Sequence, residues 1–245
     1  MRYLVLSDIH SNLTAFEAVL QDAQKQGGFD RIWCLGDVVG YGPDPKECLA
    51  LLREYDHVCV AGNHDWGSVE KIDISDFNPE ARTACLWNGQ QLSGEERKYL
   101  ADLPLTLLGG AFTLVHGSPR DPIWEYLLEP WQALSSFHWF DTRYCLVGHS
   151  HVPGYFPLSA DGGRCDYHML PRELPLSGGE QRYIINPGGV GQPRDGDRRA
   201  SYALYDDAQG LLVHRRVPYD ISSVQQRMRK VGLPERLIIR LNYGM

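Results

Sequence analysis

Nothing in this sequence of 245 residues approaches the ~20 consecutive apolar residues of a membrane span. The opening Met1-Arg-Tyr-Leu-Val-Leu-Ser-Asp8 meets a carboxylate too early for a secretory leader. Cysteine is sparse and unpatterned: Cys34, Cys48, Cys59, Cys85, Cys145 and Cys165 form no C-x-x-C pair. That excludes a Cys-type zinc motif, argues against a disulfide framework, and reads as reduced core or surface thiols of a cytoplasmic protein. Positive charge is short too. Lys and Arg number 24 against 31 Asp and Glu, a formal net charge of -7. Non-specific nucleic-acid binding rests on cationic contacts to phosphate, so no strong signal for it remains. A local cationic site, or a bound metal, stays compatible with that count. Internal repeats and low-complexity linkers are also missing, and the chain reads as one domain, 1–245.

What is present is ordinary globular composition, 43% hydrophobic and 22% charged, enough for a substantial core. The first half alternates. Tyr3–Leu6, Arg31–Leu35 and His57–Ala61 read as strands. Between them, Leu13–Gln26 reads as a helix capped by Asn12 and stopped at Gly27-Gly28. Asp44-Pro-Lys-Glu47 opens a second helix, with Asp44 as cap and Pro45 in the first turn. This β-α-β-α-β rhythm predicts an α/β fold with an at least partly parallel sheet and right-handed crossovers. A helical insertion follows around 66–103. The second half reads mostly as strands, at Leu105–Leu108, Phe112–Val115, Arg143–Val147, Gly154–Leu158, Tyr183–Ile185, Ser201–Tyr205 and Leu211–Val217. A short helix is expected around Trp131–Phe140. A C-terminal helical tail, 221–245, is broken at Gly232-Leu-Pro234.

Five apolar runs end in polar residues able to bind metal. Leu4-Val-Leu6 leads to Asp8 and His10, Ile32–Leu35 to Asp37, and Val58–Ala61 to Gly62-Asn63-His64-Asp65. Phe112–Val115 leads to His116, and Tyr144–Val147 to His149 and His151. In open α/β sheets, sites form at the C-terminal ends of strands. Asp8 and His10 are two apart, as are His149 and His151; in extended backbone each pair would face one pocket. One such strand end is ordinarily a cap or a satisfied turn, but five together predict a metal site. Imidazole, carboxylate and amide oxygen suit manganese, iron or zinc better than calcium or magnesium.

These blocks, in this order, resemble the calcineurin-like metallophosphoesterases: Asp8-x-His10, Gly36-Asp37 with Gly40 and Gly42, Gly62-Asn63-His64-Asp65, Val115-His116-Gly117 and Gly148-His149-x-His151. Asn186-Pro-Gly-Gly-Val-Gly-Gln-Pro-Arg-Asp195 is similar to a loop of the YfcE-like phosphodiesterase branch, with Gly189 in place of the usual Ser. The resemblance implies a four-layer α/β/β/α sandwich with two mixed β-sheets and a dinuclear metal site. One metal would be held by Asp8, His10, Asp37 and His151, the other by Asp37, Asn63, His116 and His149. Manganese is the expected ion, with iron, zinc and nickel as alternatives. The implied activity is phosphodiester hydrolysis by a metal-bridging hydroxide, with the ions about 3.5–4 Å apart. His64 would act as proton donor or charge stabiliser at the ester, and Asp65 would steer it.

The substrate is less specified. The protein phosphatases of the superfamily extend the second block as GDxxDRG. Here Gly40 replaces the Asp that orients the catalytic His, and Tyr41 replaces the phosphate-clamping Arg. Arg120 and Asn12 are candidates to reach a substrate phosphate, with Tyr41 beside them. Arg198 and Arg199 are further cations for which solvent exposure is the ordinary fate. Trp124 and Tyr126 either line the cleft or pack in the core. The expectation is a small phosphate-ester substrate and no membrane partner, with oligomerisation left open. The alternatives are a phosphomonoesterase on a nucleotide or small phosphate ester, and a non-catalytic scaffold on the same fold.

Overall fold

The structure is a computed structural model that describes residues 1–177 and 179–245. Its first half alternates as the sequence predicts: β1 (Arg2–Leu6), α1 (Leu13–Lys25), β2 (Arg31–Cys34), α2 (Pro45–Arg53), β3 (His57–Cys59). Three helices follow, α3 (Asn63–Ser68), α4 (Pro79–Gln91) and α5 (Gly94–Asp102). Then come β4 (Thr106–Gly109), β5 (Phe112–Val115), α6 (Pro130–Ser136), β6 (Tyr144–Leu146) and β7 (Gly154–Pro157). The remainder is β8 (His168–Met169), β9 (Glu173–Pro175), β10 (Tyr183–Asn186), β11 (Ala200–Asp206), β12 (Leu211–Val217), α7 (Ile221–Lys230) and α8 (Glu235–Arg240). β8 and β9 lack any apolar run of their own, and the sequence reading missed both.

Among the described residues the strands form two mixed sheets of six. One runs β3-β2-β1-β11-β12-β9, the other β4-β5-β6-β10-β7-β8. β1, β2 and β3 are parallel, as are β5, β6 and β10. Successive side chains of a strand face opposite sides, so each strand divides its residues between two cores. Leu4 and Leu6, with Ile32 and Cys34, pack outward onto α1 and α2 residues such as Phe16, Val19, Leu49 and Leu52. Val5, Trp33 and Leu35 pack inward against Phe112, Leu114, Tyr144, Leu146 and Ile185 of the second sheet. The outer face of that sheet, with Val115, Cys145, Val147 and Ile184, takes Ala133 and Phe137 of the α6 region. Burial on both faces explains why these strands read as continuous apolar runs rather than as alternations. The expected four layers are present.

Several local expectations are corrected. The helix after β3 starts at Asn63, three residues before Trp66, because the Asp65 carboxylate accepts the Gly62 N–H at 3.1 Å and caps it. Asp44 sits at the start of α2 but makes no side-chain cap there. Its carboxylate instead takes Arg227 of α7 in a two-pronged pair, 2.9 and 2.8 Å. That pair, with Val224, Met228, Leu237, Ile238 and Leu241 against Tyr41, Ala81 and Ala84, packs the C-terminal helices onto α4 and the Tyr41 loop of this chain. All six cysteines are free and buried. No helix among the described residues is long and apolar enough to cross a membrane.

Candidate metal centre

Parallel order puts the C-terminal ends of β1, β2 and β3 on one edge, and those of β5 and β6 on the facing edge. The loops beyond them interlock through the backbone. Asp8 N donates to Gly36 O (3.0 Å), His10 N to Asp37 O (3.0 Å) and Gly148 N to His116 O (2.7 Å). The turns are tight. Asp8, His10, Asp37, His149 and His151 all have left-handed backbone, φ 47° to 62°. The extended i, i+2 geometry expected for the two pairs is therefore wrong. Side chains converge because the chain reverses, at ~1–2 kcal/mol of strain per residue, and the interlocking backbone bonds hold it there. Gly62 lies inside this weave: a Cβ there would be 2.0 Å from Asp37 Oδ1.

Seven predicted ligands meet at the junction, each nearly or fully buried. Six of them form two groups, Asp8–His10–His151 and Asp37–His116–His149, in each of which the ligand atoms lie within 4.8 Å of one another, and the seventh, Asn63, stands beside the second. His151 Nε2 is 3.2 Å from Asp8 Oδ1 and 3.2 Å from His10 Nε2. His116 Nε2 is 3.4 Å from Asp37 Oδ2, 3.1 Å from His149 Nδ1 and 3.2 Å from Asn63 Oδ1. Asp37 Oδ2 stands between the groups, 3.6 Å from His10 Nε2.

The outward nitrogens decide what the inward ones offer. His10 Nδ1 lies 3.0 Å from Val39 O, His116 Nδ1 2.8 Å from Leu35 O, His151 Nδ1 2.5 Å from Gln192 O, and His149 Nε2 3.2 Å from Trp124 O. A carbonyl only accepts, so each of these nitrogens carries a proton and the inward nitrogen of a neutral ring is a lone pair. The carboxylates are aimed likewise. Asp8 Oδ2 accepts His149 N–H (3.1 Å) and Asp37 Oδ1 accepts His64 N–H (2.8 Å). Asp8 Oδ1 and Asp37 Oδ2 are buried without a hydrogen-bond donor among the described residues. Acceptors thus face acceptors, an arrangement that a divalent cation satisfies in each group.

Electrostatics agree. Burial alone would raise both carboxyls, but His151 beside Asp8 and His116 beside Asp37 outweigh it and hold both well below the usual carboxylate range. Burial depresses His10, His149 and His151. His116 is the exception: burial opposes its charge, yet Asp37 pushes it up to about 9. A cation would take the place of that proton.

The other candidates divide. His64 is buried on the wall of the site, packed against Tyr41 (4.4 Å) and Phe77 (4.7 Å), and burial lowers it to about 4. Its ring lies on Gly40, where a Cβ would be 2.5 Å from Nδ1. Asp65 does not steer it. The Asp65 carboxylate accepts three backbone N–H groups, from Asp37 (2.8 Å), Gly62 (3.1 Å) and Val39 (3.2 Å), so it holds two ligand loops together instead. Burial and the Asp37 charge push Asp65 up to about 7. Asn12 is likewise engaged at both ends, capping α1 through Ala15 N–H (3.1 Å) and donating to Gly191 O (2.9 Å). Arg120 does not line the site: Glu125 takes its guanidinium and Ser135 a further N–H. Asp197 pairs with Arg199, and Arg198 is exposed. Tyr41, Phe77, Trp124 and Tyr126 do line a cavity of about 340 Å³ beside His64, Asn63 and His149.

The sequence reading missed two residues. Asn88 of α4 accepts Ser11 Oγ–H (2.5 Å) and Gly40 N–H (3.1 Å) and donates to Gly42 O (3.1 Å), bracing the loop after β2. Arg194 lies on the loop after β10, beside Tyr41. β10 is a sixth parallel strand end, so the rule that exposed the other five also reaches it.

The model of the calcineurin-like phosphoesterase superfamily domain matches residues 1–210. The chain belongs to the calcineurin-like phosphoesterase superfamily. With that membership goes its class, a phosphoric ester hydrolase. It is 41% identical over 246 residues to an uncharacterized protein of Methanocaldococcus jannaschii, covering 98% of this chain and 97% of that one. The crystal structure of a metallophosphoesterase from Sphaerobacter thermophilus superposes with a TM-score of 0.88 at 46% identity, covering 100% of this chain and 99% of the other. A symmetrical bis(5'-nucleosyl)-tetraphosphatase of Pseudomonas putida is 33% identical over 84 residues, 31% of this chain and 29% of that enzyme. These likenesses fit the superfamily expectation drawn from the strand-end motifs.

Proposed function

We propose that the chain hydrolyses phosphodiesters with two divalent cations, one in each donor group. Asp8, His10 and His151 would hold one, Asn63, His116 and His149 the other, and Asp37 would bridge them. The observation that carries this reading is the convergence of both groups on Asp37 Oδ2, with the outward nitrogen of each histidine turned to a backbone carbonyl. Such cations supply a hydroxide near neutral pH and polarise phosphoryl oxygens. His64 would donate to the ester oxygen that gains charge, held by aromatic packing rather than by a carboxylate. Manganese is the first choice for a mixed imidazole, carboxylate and amide set.

The test is turnover of a bis-aryl phosphodiester with Mn²⁺, abolished by chelator and restored by metal. A metal-replete sample inert on a broad panel of esters would overturn the reading in favour of the scaffold alternative. A nucleotide ester or anhydride is a second reading. It is supported by the aromatic wall of Tyr41, Phe77, Trp124 and Tyr126, suited to stacking a base, and by the partial likeness to the tetraphosphatase. Phosphomonoester activity would need further cationic contact with the dianion.

A further inference from the structure

The donor groups around Asp37 gather carboxylates and imidazoles; the loop after β10 carries a positive charge. Arg194 Nη2 donates to two neutral oxygens, Tyr41 Oη (3.2 Å) and Gln192 Oε1 (3.3 Å). No carboxylate pairs with it among the described residues, although Arg216, Arg199 and Arg215 nearby in sequence or sheet all have one. Its Nε is buried with no acceptor among the described residues, and so is Gln192 Nε2 two residues earlier. A half-buried guanidinium without a counter-ion among the described residues is costly, which favours an anionic ligand beside it.

Its position says which ligand. The Tyr41 ring packs against His10 (4.6 Å) and His64 (4.4 Å). The Tyr126 ring stacks on His149 at 3.9 Å. The Arg194 guanidinium lies beside both tyrosine side chains, and so spans from the His10 group to the His149 group. Burial disfavours its charge, yet Tyr41, Tyr126 and Asp8 hold it above the ordinary arginine value.

We infer that Arg194 binds a non-bridging oxygen of the phosphoryl group under attack, with Tyr41 and Tyr126 fixing the guanidinium over the two donor groups. This rests on the phosphoesterase reading above. It adds a cationic contact that neither Arg120 nor Arg199 supplies.

The experiment compares Mn²⁺-loaded wild type, Arg194→Gln and Arg194→Lys. Inorganic phosphate is the probe, by calorimetry and as a competitive inhibitor of bis-aryl phosphodiester turnover. Loss of one charge-assisted contact predicts phosphate affinity about 10- to 100-fold weaker in Arg194→Gln, with metal content unchanged. Arg194→Lys, charged but without the planar fork, should fall between. Unchanged phosphate affinity in Arg194→Gln would contradict the assignment, and loss of bound metal would make the residue a structural brace and overturn it too. If Arg194→Gln does not fold, Arg194→Lys carries the test, and wild-type phosphate affinity there overturns the proposal. If wild type binds phosphate through Arg194 but turns over no ester, the phosphoesterase reading fails while the anion site stands.

Discussion

Each histidine of the two donor groups has its outward nitrogen on a backbone carbonyl, so its tautomer and aim are set before any ion arrives. His64 differs: its Nδ1 is buried with no hydrogen-bond partner among the described residues, and no carboxylate holds the ring. Removing it should therefore leave the two donor groups intact. His64→Ala is expected to keep wild-type metal content while kcat falls about 10²–10⁴-fold; metal analysis beside steady-state kinetics checks this, and lost metal would make His64 a ligand. Asp65 should behave in the reverse way. Asp65→Ala strands three buried amides around Asp37 and Gly62. Denaturant titration should show a loss of several kcal/mol, on the order of 3, with weakened metal binding. A variant as stable as wild type would show that the amides find other acceptors.

At the scale of elements, the strand ends were legible because a buried parallel strand leaves a bare apolar run, and the residues after it stand out. The shape of the loops was not legible. Nothing in Asp8-Ile-His10 or His149-Ser-His151 signals left-handed backbone at non-glycine positions, since that is imposed by hydrogen bonds from distant loops. The cap at Asp44 misled for a related reason: a local signal gave way to a partner 183 residues away. Asn12 and Arg120 have substrate-like chemistry in sequence, yet neighbours only three and five residues on already engage them. The Asp44–Arg227 pair is partly buried and joins α2 to α7, so Arg227→Ala should cost about 1–2 kcal/mol and expose the last helices to proteolysis first. Limited proteolysis with mass analysis tests this; cleavage beginning elsewhere would show that apolar packing alone holds α7 and α8.

Across the whole molecule, two sheets each bring parallel strand ends to one junction, β1 to β3 from one and β5, β6 and β10 from the other, and the donor groups lie where the sheets meet. Acid should loosen the fold partly through His214 of β12, which lies 2.9 Å from Ser201 Oγ of β11. Burial, then Arg216, lowers it from 6.5 to about 4. The unfolded chain binds this proton first as pH falls, so His214 destabilises the fold progressively from about pH 6.5 down to about pH 4 and no further. The loss is on the order of 3 kcal/mol. His214→Gln should flatten that part of the pH–stability curve relative to wild type, and parallel curves would show that the group titrates normally.

In the function proposed above, Asp37 joins two cation sites into one catalytic centre. The most direct test of that role is Mn²⁺ titration of chelator-stripped protein, following bound metal and phosphodiester turnover together, in wild type and Asp37→Asn. Activity in wild type should saturate at two ions per chain. Asp37→Asn should bind less metal and lose activity by ~10²-fold or more. Full turnover with one ion or none, or an Asp37→Asn protein with wild-type metal content and rate, would contradict the account.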